Sequence, residues 1–116
     1  MKTIIAGSRT ILDFGQVEAI LDLIPMPSEV VSGGARGVDT LGERWAKKNN
    51  IPVKVFPADW KRYGKKAGFI RNVEMAKYAD NAVIIWDGTS KGSKHMKDIM
   101  DKIGKDSSVF CVSKSV

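Results

Sequence analysis

A chain of 116 residues with 43% apolar content has the size of one domain and enough hydrophobic surface for a single core without staples. One cysteine, one histidine and no apolar run near the roughly 18 residues of a membrane span exclude a disulfide framework, a Cys/His zinc site and a transmembrane helix. On those grounds the expectation is a cytoplasmic protein, and the net charge of +6 with a pI of about 9.6 admits a polyanionic partner.

The apolar start is too short for a signal peptide and reads as a first strand over residues 3–6, running into Gly7, Ser8 and Arg9. Val17, Ile20, Leu21 and Ile24 then share one helical face, with Asp13 as N-cap. A second strand over 29–32 meets the most informative stretch, Ser32-Gly33-Gly34-Ala35-Arg36-Gly37-Val38-Asp39-Thr40. Glycines between a strand and a helix let a ligand approach the backbone, and the helix N–H groups favour an anion. The alternative is a tight turn whose glycines only solve a packing problem. The GGxxG spacing is neither a GxGxxG fingerprint nor a P-loop. The helix that follows buries Val38, Leu41, Trp45 and Ala46, and Thr40-x-x-Glu43 reads as a capping box.

A third strand over 53–56 precedes a long loop over 58–72, in which Trp60, Tyr63 and Phe69 alternate with Lys61, Arg62, Lys65 and Lys66. Cations interleaved with aromatics suit a base or a single strand, with Trp60 either a stacking platform or a lid anchor packed on the core. Arg71 and Asn72 open a third helix, carried by Ile70, Val73, Met75, Ala76 and Ala79. A fourth strand over 82–86 ends in Asp87-Gly88-Thr89-Ser90-Lys91-Gly92-Ser93, a second candidate anion nest. Met96, Ile99, Met100 and Ile103 form a fourth helix closed by Gly104. A last strand over 109–112 has Cys111 as a buried thiol, and 113–116 read as a frayed tail.

Strands alternating with helices imply an α/β domain over residues 1–116. It is a three-layer Rossmann-like fold of about five parallel strands in the order 3-2-1-4-5. All strand-to-helix loops then open on the carboxyl edge, where such folds bind ligands. The candidate ligand-binding set is Gly7, Ser8, Arg9, Gly33, Gly34, Ala35, Arg36, Gly37, Asp39, Asp59, Trp60, Arg71, Asn72, Asp87, Gly88, Gly92 and Ser93. Blander roles stand beside the functional ones. Arg9 could pair with Asp13, Arg36 could face solvent, Asp39 could cap its helix, and Lys91, Lys94 and Lys97 could form a solvated face. Trp45 reads as core, Trp86 is ambiguous at a strand tip, and His95 reads as an exposed helix residue.

With these loops in place the chain resembles the SLOG superfamily, Rossmann-like proteins related to bacterial DNA-processing protein A and to the LOG ("lonely guy") phosphoribohydrolases. It is most similar to the short bacterial and phage proteins of that group. Ser32 to Asp39 look like the SGxARGxD turn of DNA-processing protein A, and Phe69-Ile70-Arg71-Asn72 look like its FxxRN segment. Ala58-Asp59-Trp60 with Gly64-Lys65 and Ala67-Gly68 look like the short group itself. LOG hydrolases carry PGGxGTxxE after the fourth strand, and its glutamate assists cleavage of the N-glycosidic bond. Matching Gly92-Ser93 to the GT pair puts Met96 at that glutamate. A methionine is neither acid nor base, which leans the reading away from an enzyme and leaves Glu43 and Asp39 as weak catalytic candidates.

The resulting expectation is binding of a nucleotide or nucleotide-derived ligand, of the ADP-ribose-like class by family analogy, by a sensor or sequestering protein. The alternatives are a nucleoside-phosphate N-glycosidase and a single-stranded nucleic-acid binder. No metal or cofactor is implied, and self-association is left open.

Overall fold

Five parallel strands form one sheet: β1 (Lys2–Gly7), β2 (Glu29–Ser32), β3 (Val53–Val55), β4 (Asn81–Trp86) and β5 (Asp106–Cys111). Their order is β3-β2-β1-β4-β5, so the chain winds outward to one side of β1 and then to the other. The helices are α1 (Phe14–Leu21), α2 (Val38–Lys48), α3 (Trp60–Tyr63), α4 (Ala67–Tyr78) and α5 (Lys91–Lys102), with a 3₁₀ turn at Gly64–Lys66. This computed structural model describes residues 1–113, so the expected fraying of the tail lies, beyond Ser113, outside the described residues.

Alternation along the strands decides the layers. Ile5, Val30, Val83 and Ile85 face Val17 and Leu21 of α1 and Val38, Trp45 and Ala46 of α2. Their neighbours Ile4, Val31, Ala82 and Ile84 face Met75 and Ala76 of α4 and Met96 and Met100 of α5. Both faces of the central strands are therefore dry, as a parallel sheet requires. Trp45 is 1% exposed, and its indole N–H donates to the Asp22 carboxylate at 2.9 Å.

Four local expectations need correction. The capping box does not form, because α2 begins at Val38. Thr40 instead donates to the Ala35 carbonyl, and the Glu43 carboxylate accepts from the Ser32 hydroxyl. Arg71 and Asn72 lie in the second turn of α4, which starts at Ala67, so nearly all of the loop expected over 58–72 is helical, from Trp60 onward. β5 starts three residues early, at Asp106, because pairing with β4 recruits polar residues that hydrophobicity does not mark. Cys111 is exposed rather than buried: β5 is an edge strand, and the residues that pack on the core are its neighbours Phe110 and Val112.

The junction of α2 with the β1 loop sets the position of the site. Gly37 precedes α2 at φ +75°, and a Cβ there would lie 2.4 Å from the Ser8 carbonyl oxygen and 2.7 Å from the Arg9 Cα. The Val38 N–H donates to that same Ser8 carbonyl at 3.3 Å. Gly37→Ala should therefore cost about 3 kcal/mol or more of unfolding free energy in chemical denaturation, from strain and backbone overlap together. Gly92→Ala, in α5 with nothing near the added carbon, should be neutral or slightly stabilising.

Candidate functional site

Two adjoining hollows open at the carboxyl edge of the sheet, and Arg9 and Arg71 line both. The first, about 330 Å³, lies between the tips of β1 and β4. Met75 and Met96 line it from the core side, with Thr10, Asp39, Asn72, Asp87, Thr89, Ser90 and Ser93 supplying polar groups. The second, about 420 Å³, lies on the β2–β3 side among Gly33, Gly34, Ala35, Arg36, Val55, Pro57, Ala58 and Trp60. A smaller hollow joins Trp60, Lys65, Phe69, Asn72 and Gly92 to the same two arginines.

Arg71 ties the rim together. Its Nη1 donates to the Gly33 carbonyl at 2.7 Å and its Nε to the Asn72 Oδ1 at 3.2 Å, so α4 is latched to the β2–α2 turn. Arg9, Arg71 and Asn72, from different parts of the sequence, therefore meet the glycine turns on one edge as the topology requires. Arg9 is exposed and forms no ion pair with Asp13 among the described residues; Asp13 caps α1 instead.

Both glycine turns already hold a carboxylate of the chain's own. In the first, Ala35 N–H donates to Asp39 Oδ2 at 3.3 Å, and Gly34 N–H donates to the Ser32 hydroxyl at 3.1 Å. Asp39 is 5% exposed, and burial lifts its carboxyl pKa to about 6. Against that lift work the Ala35 N–H, the Arg71 charge and the Gly7 N–H, while Glu43 adds to it. A Cβ on Gly33 would meet Asp39 Oδ2 at 2.8 Å and Arg71 Nη1 at 2.9 Å, so this glycine makes room for the pair. In the second turn, Asp87 accepts from Thr10 Oγ1 at 2.6 Å, Thr89 N–H at 2.9 Å and Ser90 N–H at 3.1 Å. These donors, the Thr10 hydroxyl foremost, hold its carboxyl far below the usual carboxylate range. The open backbone nests expected at both turns are thus partly closed from inside.

The remaining candidates divide by position. Gly7, Ala35, Gly92 and Ser93 line the first hollow, and Gly33, Gly34, Ala35, Arg36 and Trp60 the second. Trp60 is 52% exposed, which removes the reading of a lid anchor sunk in the core. Ser8 is buried, and its hydroxyl accepts from the Asp87 N–H, so it braces the rim from beneath. Asp59 caps α3 through the Arg62 N–H at 3.1 Å, and Gly88 bends its turn at φ +91°. Glu43 lies beneath the turn on Ser32 and lines neither hollow. Lys94 and Lys97 pair with Asp98 and Asp101 along α5, which makes that cluster a solvated face. Trp86 is half-buried, its indole donating to the Ser90 carbonyl. His95 is not the exposed residue expected: its ring packs against Phe69 with centroids 4.3 Å apart and meets Asn72.

Sequence reading missed Thr10 as polar lining, and Val55 and Pro57 as the apolar wall near Trp60; Thr89 and Ser90, part of the second candidate nest, also line the first hollow although they were outside the candidate ligand-binding set. Thr10 follows Arg9 in the same loop and could have been included on that ground. Val55 and Pro57 carry no local signal, because only the pairing of β3 with β2 brings them to the turn. Among the described residues no group of three or more His, Cys, Asp or Glu could hold a metal ion.

The Asp39 carboxyl makes a signed prediction. Its folded-state pKa is raised, so its contribution is most favourable in acid and is lost as pH rises through about 6, at a cost of up to about 3 kcal/mol at neutral pH. Wild type should therefore lose unfolding free energy relative to Asp39→Asn between about pH 4 and about pH 8. A difference that does not change with pH would mean that the carboxyl is unperturbed.

Comparison with known proteins identifies the family. The sequence model of the YAcAr family, described as the YspA, cpYpsA-related SLOG family, matches residues 1–63, from β1 through α3. The Gene 61 protein of Mycobacterium phage D29 is 34% identical over 113 residues, covering 89% of this chain and 90% of the relative. No solved structure matches significantly. The strand order, the glycine turn and these two matches together make the chain a member of the SLOG family.

Proposed function

We propose that this protein binds a nucleotide-derived small molecule at the carboxyl edge and does not turn it over. The observation that carries this reading is the pair Arg9 and Arg71, shared by two hollows of different chemistry. A guanidinium pair suits a phosphate or a phosphate bridge. The half-exposed Trp60 beside Val55 and Pro57 suits a stacked base, and the hydroxyls of Thr89, Ser90 and Ser93 suit a sugar. Hollows of these sizes fall within the range of small-molecule sites, and two of them flanking one cationic centre favour an ADP-ribose-like ligand. Such a ligand belongs to the cytoplasm of a bacterial or phage-infected cell, where the protein would act as a sensor or a sequestering module.

The glycosidase reading rests on a narrower base. Met96 is 1% exposed and lines the hollow where a LOG hydrolase would carry its glutamate. Asp39 is the one carboxyl there with a pKa raised toward neutrality, but it already accepts backbone N–H groups and faces Arg71. The strand-binding reading draws on exposed Trp60, Tyr63 and Phe69 among Lys61, Arg62, Lys65 and Lys66.

Calorimetric titration with AMP and ADP-ribose separates the three. The proposal expects one site per chain, modest salt dependence and a loss of about 10- to 100-fold in affinity for Arg71→Ala, the worth of a charged hydrogen bond. Affinity for an oligonucleotide that collapses as salt rises, with no saturable mononucleotide binding, would favour a strand binder instead. Chromatography of AMP, CMP, NAD and ADP-ribose incubated with the protein should show no catalytic release of base. Multiple turnovers abolished by Asp39→Ala would establish an enzyme.

A further inference from the structure

Behind Arg71 a short chain of hydrogen bonds leads out of the cleft. Asn72, 7% exposed, accepts from Arg71 Nε through Oδ1 at 3.2 Å. Its Nδ2 lies 3.3 Å from the Gly92 carbonyl oxygen and 3.3 Å from His95 Nδ1. Donor and acceptor counting fixes the protons. The Arg71 N–H requires an oxygen opposite it, so the Asn72 amide cannot be flipped, and its two remaining hydrogens point to Gly92 and His95. His95 Nδ1 must then accept, which means a neutral imidazole with its proton on Nε2. The ring is held in that orientation edge-to-face against Phe69.

We propose that Asn72 is a positioning residue for Arg71 and that neutral His95 is its proton-sensitive anchor, so that acid weakens the grip of this site on an anionic ligand. This rests on the nucleotide-binding reading above and adds its regulation. An imidazolium presents N–H to N–H at Asn72. The amide escapes that clash only by moving: withdrawn from His95 it draws its oxygen off the Arg71 Nε, and turned over it would set its oxygen against the Gly92 carbonyl, so either way the Arg71 Nε loses its acceptor. Arg71 keeps only the Gly33 carbonyl and loses its fixed direction into the cleft.

The surroundings favour the neutral ring. Burial holds the His95 pKa below its ordinary value, and Asp98 on its own helix pulls the other way. On the α4 side the charged groups are Arg71, beyond Asn72, with Arg9 and Lys65 around the adjoining hollow. Asp39, the other titratable group coupled to Arg71, also changes charge near pH 6. The sign separates these effects. A positive charge gained at His95, or a negative one lost at Asp39, would by itself strengthen anion binding in acid. For a ligand of constant charge the displaced amide predicts the opposite.

His95 is the only histidine in the chain, so its ring nitrogens give unambiguous NMR signals. In the unliganded full chain we expect the Nε2–H tautomer at neutral pH. The protected Arg71 Nε–H signal should vanish with the same midpoint as the imidazole between about pH 8 and about pH 5. In His95→Gln the Arg71 signal should persist in acid, and in Asn72→Ala it should be absent at every pH. With ADP-ribose as probe, whose pyrophosphate keeps the same charge between about pH 8 and about pH 5, affinity should fall about 2- to 10-fold across the same titration, the worth of one hydrogen bond. That fall should survive in Asp39→Asn and disappear in His95→Gln. An Nδ1–H tautomer, an Arg71 signal indifferent to the imidazole, or ADP-ribose affinity that is flat or rising in acid would each overturn the proposal. The first two readouts need no ligand, so a failure of ADP-ribose to bind would count against the nucleotide reading while these still decide the coupling.

Discussion

A carboxylate sealed under a turn organises this protein. Asp39 sits at the start of α2 with almost no exposure, accepts the Ala35 N–H, and stands in the field of Arg71. A buried charge is tolerated only when donors converge on it, and that demand reaches three elements at once. It draws Arg71 from α4 toward the turn, asks Gly33 to carry no side chain, and holds the N-terminus of α2 against the end of β1. The first turn, the α4 latch and the shared wall of the two hollows are therefore one arrangement.

The same logic changes the meaning of the glycine turns. Backbone N–H groups at a helix N-terminus attract an anion, and here the anion is supplied twice from within, by Asp39 and by Asp87. What the rim can offer an incoming phosphate is then mostly side-chain charge. Arg9 is exposed and Arg71 is half-buried and held by Gly33, so in the proposed binding mode one cation would follow a ligand while the other defined its position. Affinity placed on oriented guanidinium groups is sensitive to whatever orients them, which is why the Asn72–His95 pair behind Arg71 matters.

The architecture was legible in the sequence because the signals were long and consistent. Continuous apolar runs in β1 and β4, a 3.6-residue period in α2 and α5, and glycine-bearing turns between them point to one parallel sheet, and its observed order follows. The site was legible as a set of loops, since parallel topology alone brings Arg9 and Arg71 to one edge. The wiring inside it was not. Asp39 reads as a cap or a ligand contact until the fold shows it bonded across the turn, and Glu43 reads as an acid until Ser32 is seen to occupy it. His95 looked idle because its partners, Phe69 and Asn72, come from another helix. Edge strand β5 was underestimated for the converse reason: backbone pairing holds Asp106 and Ser107 where no hydrophobic pattern marks them.

On the proposed reading ligand recognition is confined to the carboxyl edge around Arg9 and Arg71, and amide NMR during addition of AMP maps where the ligand acts. Saturable shifts are expected over residues 7–10, 33–39, 60–72 and 87–93, with the opposite edge silent. Shifts concentrated instead around Met1, Met26 and Asn81, which line a hollow on that opposite edge, would contradict it.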